Sequence, residues 1–311
     1  MNQTKIEWTE RTWNPVTGCT KVSSGCDHCY AETIATRFAG GKAFPRGFAV
    51  TLHPERLDQP LRWRKPATVF VNSMSDLFHA DVPDEYIAKV FAVMALTPQH
   101  TYQILTKRPG RMRSLLNSER FRVAAAMETA IGYSEAPRNL FTWPLPNVWL
   151  GVSVESQKWA DVRIPALLDT PAAVRFLSCE PLLGPVTIHE YRDRPADPTI
   201  DWVIIGGESG HNARPMHPQW ARRLRDQCAA AIVPFFFKQW GAWAPVGEGE
   251  IAKETDLHIR RDGYAWPITE PHGAKDGTEV VMRRVGKSAA GRELDGREWN
   301  EMPQRNEVCP R

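Results

Sequence analysis

Three of the six cysteines in this 311-residue chain fall within residues 19–29. Cys19, Cys26 and Cys29 are spaced C-x6-C-x2-C, and Tyr30 and a helix-like run follow at once. In a reducing cytoplasm so tight a group of thiols reads as a metal site rather than a disulfide framework. Two metal chemistries suit it. Around an iron–sulfur cluster, three thiolates leave one iron without a protein ligand, open to a substrate or cofactor. A closed zinc site instead needs a fourth ligand, and His28 and Cys179 are the candidates. Cys228 lies on the apolar face of a helical pattern and reads as packing, and Cys309, near the C-terminus, as uninvolved.

A second set of chemistry-bearing residues follows short apolar runs. The runs are TVFVNSMSD (68–76), TYQILTKR (101–108), VWLGVSVE (148–155), VRFLSCEP (174–181), DWVIIGGE (201–208) and VPFFFKQW (233–240). They deliver Ser73 and Asp76; Thr106, Lys107 and Arg108; Ser153 and Glu155; Ser178 and Glu180; Glu208; and Lys238 with Gln239. Strands do end where polar loops begin, and that explains one or two such endings. It explains six poorly, when three place an acid and two a lysine straight after an apolar run.

Near-continuous apolar runs are the mark of strands buried on both faces, as in parallel sheets. Helical patterns at 83–96, 156–169 and 217–231 separate several of them. The βαβα alternation predicts an α/β fold, a (β/α) barrel or partial barrel over residues 1–244, with the active site at the C-terminal strand ends. WNPVTGCT (13–20) reads as a short first strand, which puts the cysteines on the loop after it, and 29–39 as a helix. Residues 116–147 hold a helical stretch and a long connection expected to cover the barrel mouth. From 245 to 311 the Gly- and charge-rich pattern predicts a small hairpin-bearing appendage; GKSAAG there lacks the P-loop frame.

Composition narrows the rest. Apolar residues make up 42% and charged residues 24%, as in ordinary globular proteins. No apolar run is long enough to span a membrane, and the N-terminus lacks a signal-peptide pattern, so a cytoplasmic protein is expected. A net charge of +3 does not by itself indicate nucleic acid. Two basic groups, Lys107 to Arg113 and Arg222 to Arg225, and twelve Trp leave phosphate and base contacts open beside solvated faces and packing.

Taken together, the motifs WNPVTGCTKVSSGCDHCYAE, VNSMSDLFH (71–79), ILTKRP (104–109), WLGVSVES (149–156), FLSCEPLLGP (176–185), IIGGESG (204–210), FFFKQWG (235–241) and GKSAAGRELDGREWNEMP (286–303) resemble the phage Gp37/Gp68 family of three-Cys-motif proteins. More distantly, the cysteine loop resembles that of radical S-adenosylmethionine enzymes. The resemblance implies a TIM-type barrel of the radical-SAM kind with a 4Fe–4S cluster on Cys19, Cys26 and Cys29, S-adenosylmethionine on the open iron, and a three-Cys-motif partner protein. The first spacer is six residues where radical enzymes have three, and the GGE at 206–208 follows a later strand than theirs. The expected activity is radical chemistry on nucleic acid or a nucleotide, of the base-modification or repair type. The alternative is a non-catalytic nucleic-acid-binding or accessory protein stabilised by zinc or a cluster. Ser153, Glu155 and Lys238 are the candidate cofactor contacts; Asp76, Lys107, Arg108, Glu180 and Glu208 are the candidate substrate contacts. Lys238 follows three Phe, so its ammonium needs an anion: either Glu208 on the preceding strand or a bound ligand.

Overall fold

The apolar runs fold as parallel strands. The structure, a computed structural model, describes residues 4–132, 142–191, 199–247, 249–270 and 278–304. In chain order its elements begin with β1 (Arg11–Trp13), β2 (Val16–Thr17), α1 (Tyr30–Arg37), β3 (Thr51–Leu52), β4 (Thr68–Val71), α2 (Asp84–Leu96) and β5 (Thr101–Thr106). Next come α3 (Pro109–Leu116), α4 (Glu119–Gly132), β6 (Val148–Ser153), α5 (Gln157–Leu168), β7 (Val174–Cys179), β8 (Trp202–Gly206), α6 (Pro218–Ala231) and β9 (Phe235–Gln239). The chain ends with β10 (Trp243–Pro245), β11 (Leu257–Ile259), β12 (Ala265–Pro267), β13 (Val280–Arg284), α7 (Lys287–Ala290), β14 (Glu293–Leu294) and β15 (Arg297–Glu298).

Seven strands form one sheet in the order β1-β4-β5-β6-β7-β8-β9, every pair parallel. Strands laid down in sequence order, with right-handed helical crossovers, place their helices on one side and curl the sheet around the other. β1 and β9 stay unpaired with each other, so the α/β fold is a half-barrel rather than a closed one. The open edge of β9 is capped by residues 299–301, through Phe237 N to Trp299 O and Glu301 N to Phe235 O. A covered edge removes a template for aggregation.

Side-chain alternation gives the sheet two unlike faces. On the helix side, Val69, Ile104, Val152, Leu177 and Ile205 pack with α2, α5 and α6 in the main core. On the concave side Phe70, Trp149, Phe176, Trp202 and Phe236 close around Trp8, which the N-terminal segment inserts among them. The rings meet edge-on or tilted at 4.7–6.4 Å. This aromatic floor fills the N-terminal half of the concavity. Two residues beyond Phe176, Ile204 and Phe236, the same face carries Ser178, Gly206 and Lys238 in place of apolar side chains.

Two local expectations need correction. The first sheet strand is Arg11–Trp13, ahead of the predicted segment at 13–20. Pro15 has no N–H to donate to a ladder, and Asn14 turns the chain by accepting from Ser73 Oγ and Met74 N, so Val16–Thr17 pairs antiparallel with Thr51–Leu52 instead. The described part of the 116–147 connection does not cover the mouth. Phe121 of α4 packs with Phe91 of α2 and with Trp143 on the helix side of the sheet; residues 133–141 lie outside the described residues. Beyond β9 the chain builds a four-stranded antiparallel sheet, β10-β13-β11-β12, whose Trp243, Ile259 and Met282 join the main core.

Candidate functional site

The three cysteines sit on the loop between β2 and α1, at the C-terminal end of the parallel sheet. Cys26 closes a single 3-10 turn at Ser24–Cys26, and Cys29 is the N-cap of α1. All three are free and half-buried. Burial, with Asp76 second, pushes the Cys19 thiol up to about 12, so without a bound cation it stays protonated at neutral pH.

What fixes this loop is a set of bonds to strand ends distant in sequence. Ser23 Oγ donates to Glu155 Oε1 at 2.7 Å. His28 Nδ1 lies 3.1 Å from Glu208 Oε2. Arg108 Nη2 donates to Thr20 O and Oγ1 at 3.1 and 2.8 Å, and His79 Nε2 lies 2.8 Å from the same hydroxyl. Arg214 binds both oxygens of Glu208 and also reaches Ser24 O and Asp27. Tyr30 Oη donates to Ser73 O. The loop is thus stitched to the ends of β4, β5, β6 and β8.

Glu155 is the centre of this network. It is fully buried, with Arg163 Nη1 at 2.7 Å from Oε2 and Lys107 Nζ at 3.1 Å from Oε1. Burial alone would raise its pKa; Lys107 and Arg163 outweigh that and hold the carboxyl below the usual range. Gly25 is dictated by this neighbour, since a Cβ there would stand 2.4 Å from Glu155 Oε1. Asp76 is buried beside it and accepts from Thr106 Oγ1 and Lys107 N at 2.7 and 3.0 Å. Glu208 is likewise held low: burial raises it, but bonds from Arg214 and His28 prevail.

Lys238 finds its anion on an unexpected strand. Its ammonium stands 3.1 Å from Glu180 Oε1, outside hydrogen-bonding angles, while Glu208 belongs to Arg214 and His28. The intervening position on β8 is Gly206, where a Cβ would come 2.6 Å from Glu180 Oε1. Lacking a side chain, β8 lets the β9 lysine reach across to β7. Ser178 Oγ donates to the other oxygen of Glu180 at 3.3 Å.

Of the predicted residues, Asp76, Lys107, Arg108, Glu155 and Glu208 meet the cysteine loop directly or through one partner. Glu180 and Lys238 pair on the concave face, and Ser153 is buried on that face with its carbonyl accepting from Arg163. Cys179 and Cys228 are buried in the helix–sheet core, away from the loop; Cys309 lies outside the described residues. Sequence reading missed Ser23, Arg163 and Arg214. Arg163 carried a signal, because Ala160, Ile164 and Leu167 put it on the buried stripe of α5. A hollow of about 300 Å³ between Arg225, Cys228, Ile232, Phe235 and Trp299 opens at the start of β9, the opposite end of the sheet.

The donor set tells its own story. Three free thiols on one rim loop suit a cluster that takes three protein ligands. Among the described residues, no three His, Cys, Asp or Glu side chains are gathered as a metal-holding group. Residues 3–303 match the family described as protein of unknown function, DUF5131. The chain belongs to the DUF5131 family. No curated protein matches this DUF5131 chain. A cysteine-to-serine mutant of spore photoproduct lyase is similar in structure, with a TM-score of 0.42 and 12% identity over 91% of this chain and 71% of that one. Among the described residues of the DUF5131 protein, no helix is long and apolar enough to cross a membrane.

Proposed function

We propose that this protein is an iron–sulfur enzyme of the radical S-adenosylmethionine type that modifies or repairs bases in nucleic acid or a nucleotide. The observation that carries the reading is the stitching of the three-thiol loop to four strand ends at the C-terminal rim, where parallel α/β folds hold their chemistry. Cys19, Cys26 and Cys29 would hold the cluster. When bound, the cluster and S-adenosylmethionine supply one-electron chemistry. Cys179, one of the two candidates for a fourth zinc ligand, is buried in the core; His28 meets Glu208 through Nδ1 and keeps Nε2 for a metal, so a zinc site on the three thiols and His28 is the competing reading.

The chain's own residues have defined parts in this reading. Ser23, Arg108 and Arg214 orient the loop. Glu155, clamped by Lys107 and Arg163, anchors it without releasing a proton near neutral pH. The aromatic floor shuts the far end of the concavity against water, so a ligand enters from the rim. Lys238 and Glu180 present a neutral pair there, and an anionic ligand at Lys238 has to compete with that carboxylate. In the same reading, this chain is a three-Cys-motif protein of the phage Gp37/Gp68 kind, residues 1–244 form the catalytic unit in the cytoplasm, 245–311 an appendage, and a separate three-Cys-motif partner protein is the partner.

Anaerobic purification with iron and sulfide tests the reading. A brown protein with about four irons per chain is expected, lost in Cys26→Ser and kept in Cys228→Ser. Full iron in Cys26→Ser, or a colourless protein holding one zinc, would refute it.

A further inference from the structure

One hydroxyl on the thiol loop is held from two sides. Thr20 follows Cys19 directly, and its Oγ1 lies 2.8 Å from Arg108 Nη2 and 2.8 Å from His79 Nε2. The two groups come from different elements: Arg108 caps α3 after β5, and His79 lies between β4 and α2. Both are fixed in turn. Arg108 N donates to Thr106 Oγ1 at 2.8 Å, and its Nη2 donates to Thr20 O as well. His79 is 4% exposed, and its carbonyl accepts from Arg111 Nη1.

The other ring nitrogen of His79 decides which way the hydroxyl bond runs. Asp81 N donates to His79 Nδ1 at 3.1 Å, so Nδ1 presents its lone pair and the proton of the neutral ring sits on Nε2. The Asp81 carboxylate stands 3.7 Å from Nδ1, too far to accept from it. Burial first, and the Arg108 charge second, hold the ring below its usual pKa and so neutral at pH 7. Nε2 therefore donates to Thr20 Oγ1, and a guanidinium can only donate. A hydroxyl has two acceptor lone pairs and one hydrogen. Both lone pairs of Thr20 are taken, and its hydrogen has no acceptor among the described residues.

Anchoring the loop would need only one of these donors. Two of them leave the hydroxyl a donor with a single direction to point, beside a thiol of the centre proposed above. We propose that Thr20 gives this hydrogen to a sulfur of the centre held by Cys19, Cys26 and Cys29, and so sets how readily that centre accepts an electron. A donor on sulfur favours the more negative, reduced state and raises the reduction potential. The inference rests on the cluster reading and adds to it a residue that tunes the cluster. Water is the competing acceptor for the same hydrogen.

The test is a redox titration of the full-length protein, reconstituted anaerobically with iron and sulfide and followed by visible absorption. Thr20→Val and Thr20→Ala are expected to keep their iron and to shift the one-electron equilibrium about tenfold toward the oxidised form, about 59 mV lower in midpoint. Thr20→Ser keeps the hydroxyl and should titrate with the parent. His79→Leu removes one anchor of the loop yet leaves the hydrogen unclaimed, so it too should stay near the parent. Electron–nuclear double resonance of the reduced parent should show a proton coupling that disappears in deuterium oxide and is missing from Thr20→Val. Three results would each overturn the proposal while the iron count stays intact: equal midpoints for Thr20→Val and the parent, no exchangeable coupling in the parent, or a shift in His79→Leu as large as in Thr20→Val. A parent that takes up no iron would instead overturn the cluster reading and this inference together.

Discussion

Replacing Glu155 with Gln keeps the shape of the side chain and removes the charge on which the rim network is built. Glu155 is fully buried and Arg163 is 1% exposed, so the guanidinium would be left in the interior with no anion. Lys107, at 19% exposure, can turn toward water and contributes less. Removing one partner of such a pair costs about 3–5 kcal/mol, which for a chain of this size lowers Tm by roughly 5–8 °C. The sign of the pH dependence follows from the depressed Glu155 pKa. Its stabilisation is present above the unfolded carboxyl value of about 4.3 and is lost as pH falls through the folded value. The gap between parent and Glu155→Gln should therefore be widest at neutral pH and narrow below about pH 4. Calorimetry across that range measures it. Glu155→Leu/Arg163→Leu should melt closer to the parent than Glu155→Gln, because a buried pair replaced by apolar groups loses little. If Glu155→Gln melts within about 1 °C of the parent at pH 7, the assignment of Arg163 as a buried partner is wrong.

Other expectations follow from the same contacts. Gly25→Ala forces a Cβ against a carboxylate pinned by three donors and should cost about 1–3 kcal/mol while impairing iron loading, read by melting and metal analysis. Arg214→Ala releases Glu208, Ser24 and Asp27 together, so amide exchange at residues 25–29 should accelerate with a loss of about 1.5–3 kcal/mol. Lys238→Met strands Glu180 on the concave face; the variant should lose about 1–3 kcal/mol, and Lys238→Met/Glu180→Leu should recover most of it in a double-mutant cycle.

Legibility from sequence divides along physical lines. The six apolar runs became β4 to β9 because strands buried on both faces must be apolar throughout, and that constraint is written locally. Arg11–Trp13 escaped notice because a three-residue edge strand needs no apolar run. Pairing is not written locally. Lys238 reached Glu180 rather than Glu208 because Gly206 leaves a gap, a fact visible only once β8 lies between them. Arg214 sits in a loop with no periodicity to mark it, whereas Arg163 broke an apolar stripe and was there to be found.

The bonds that secure the cysteine loop have a consequence for the newborn chain. Thr20 waits for Arg108, Ser23 for Glu155, and Ser24 for Arg214, partners 88, 132 and 190 residues downstream. The thiols leave the ribosome first, and the last residue that fastens them emerges almost two hundred residues later. At about 5–20 residues per second, that interval is roughly 10–40 s. During it Cys19, Cys26 and Cys29 stand on an unfastened segment, open to any metal donor or oxidant that meets the nascent chain. Stalled chains ending before residue 200 should accordingly react with maleimide at all three thiols faster than chains that extend past 214.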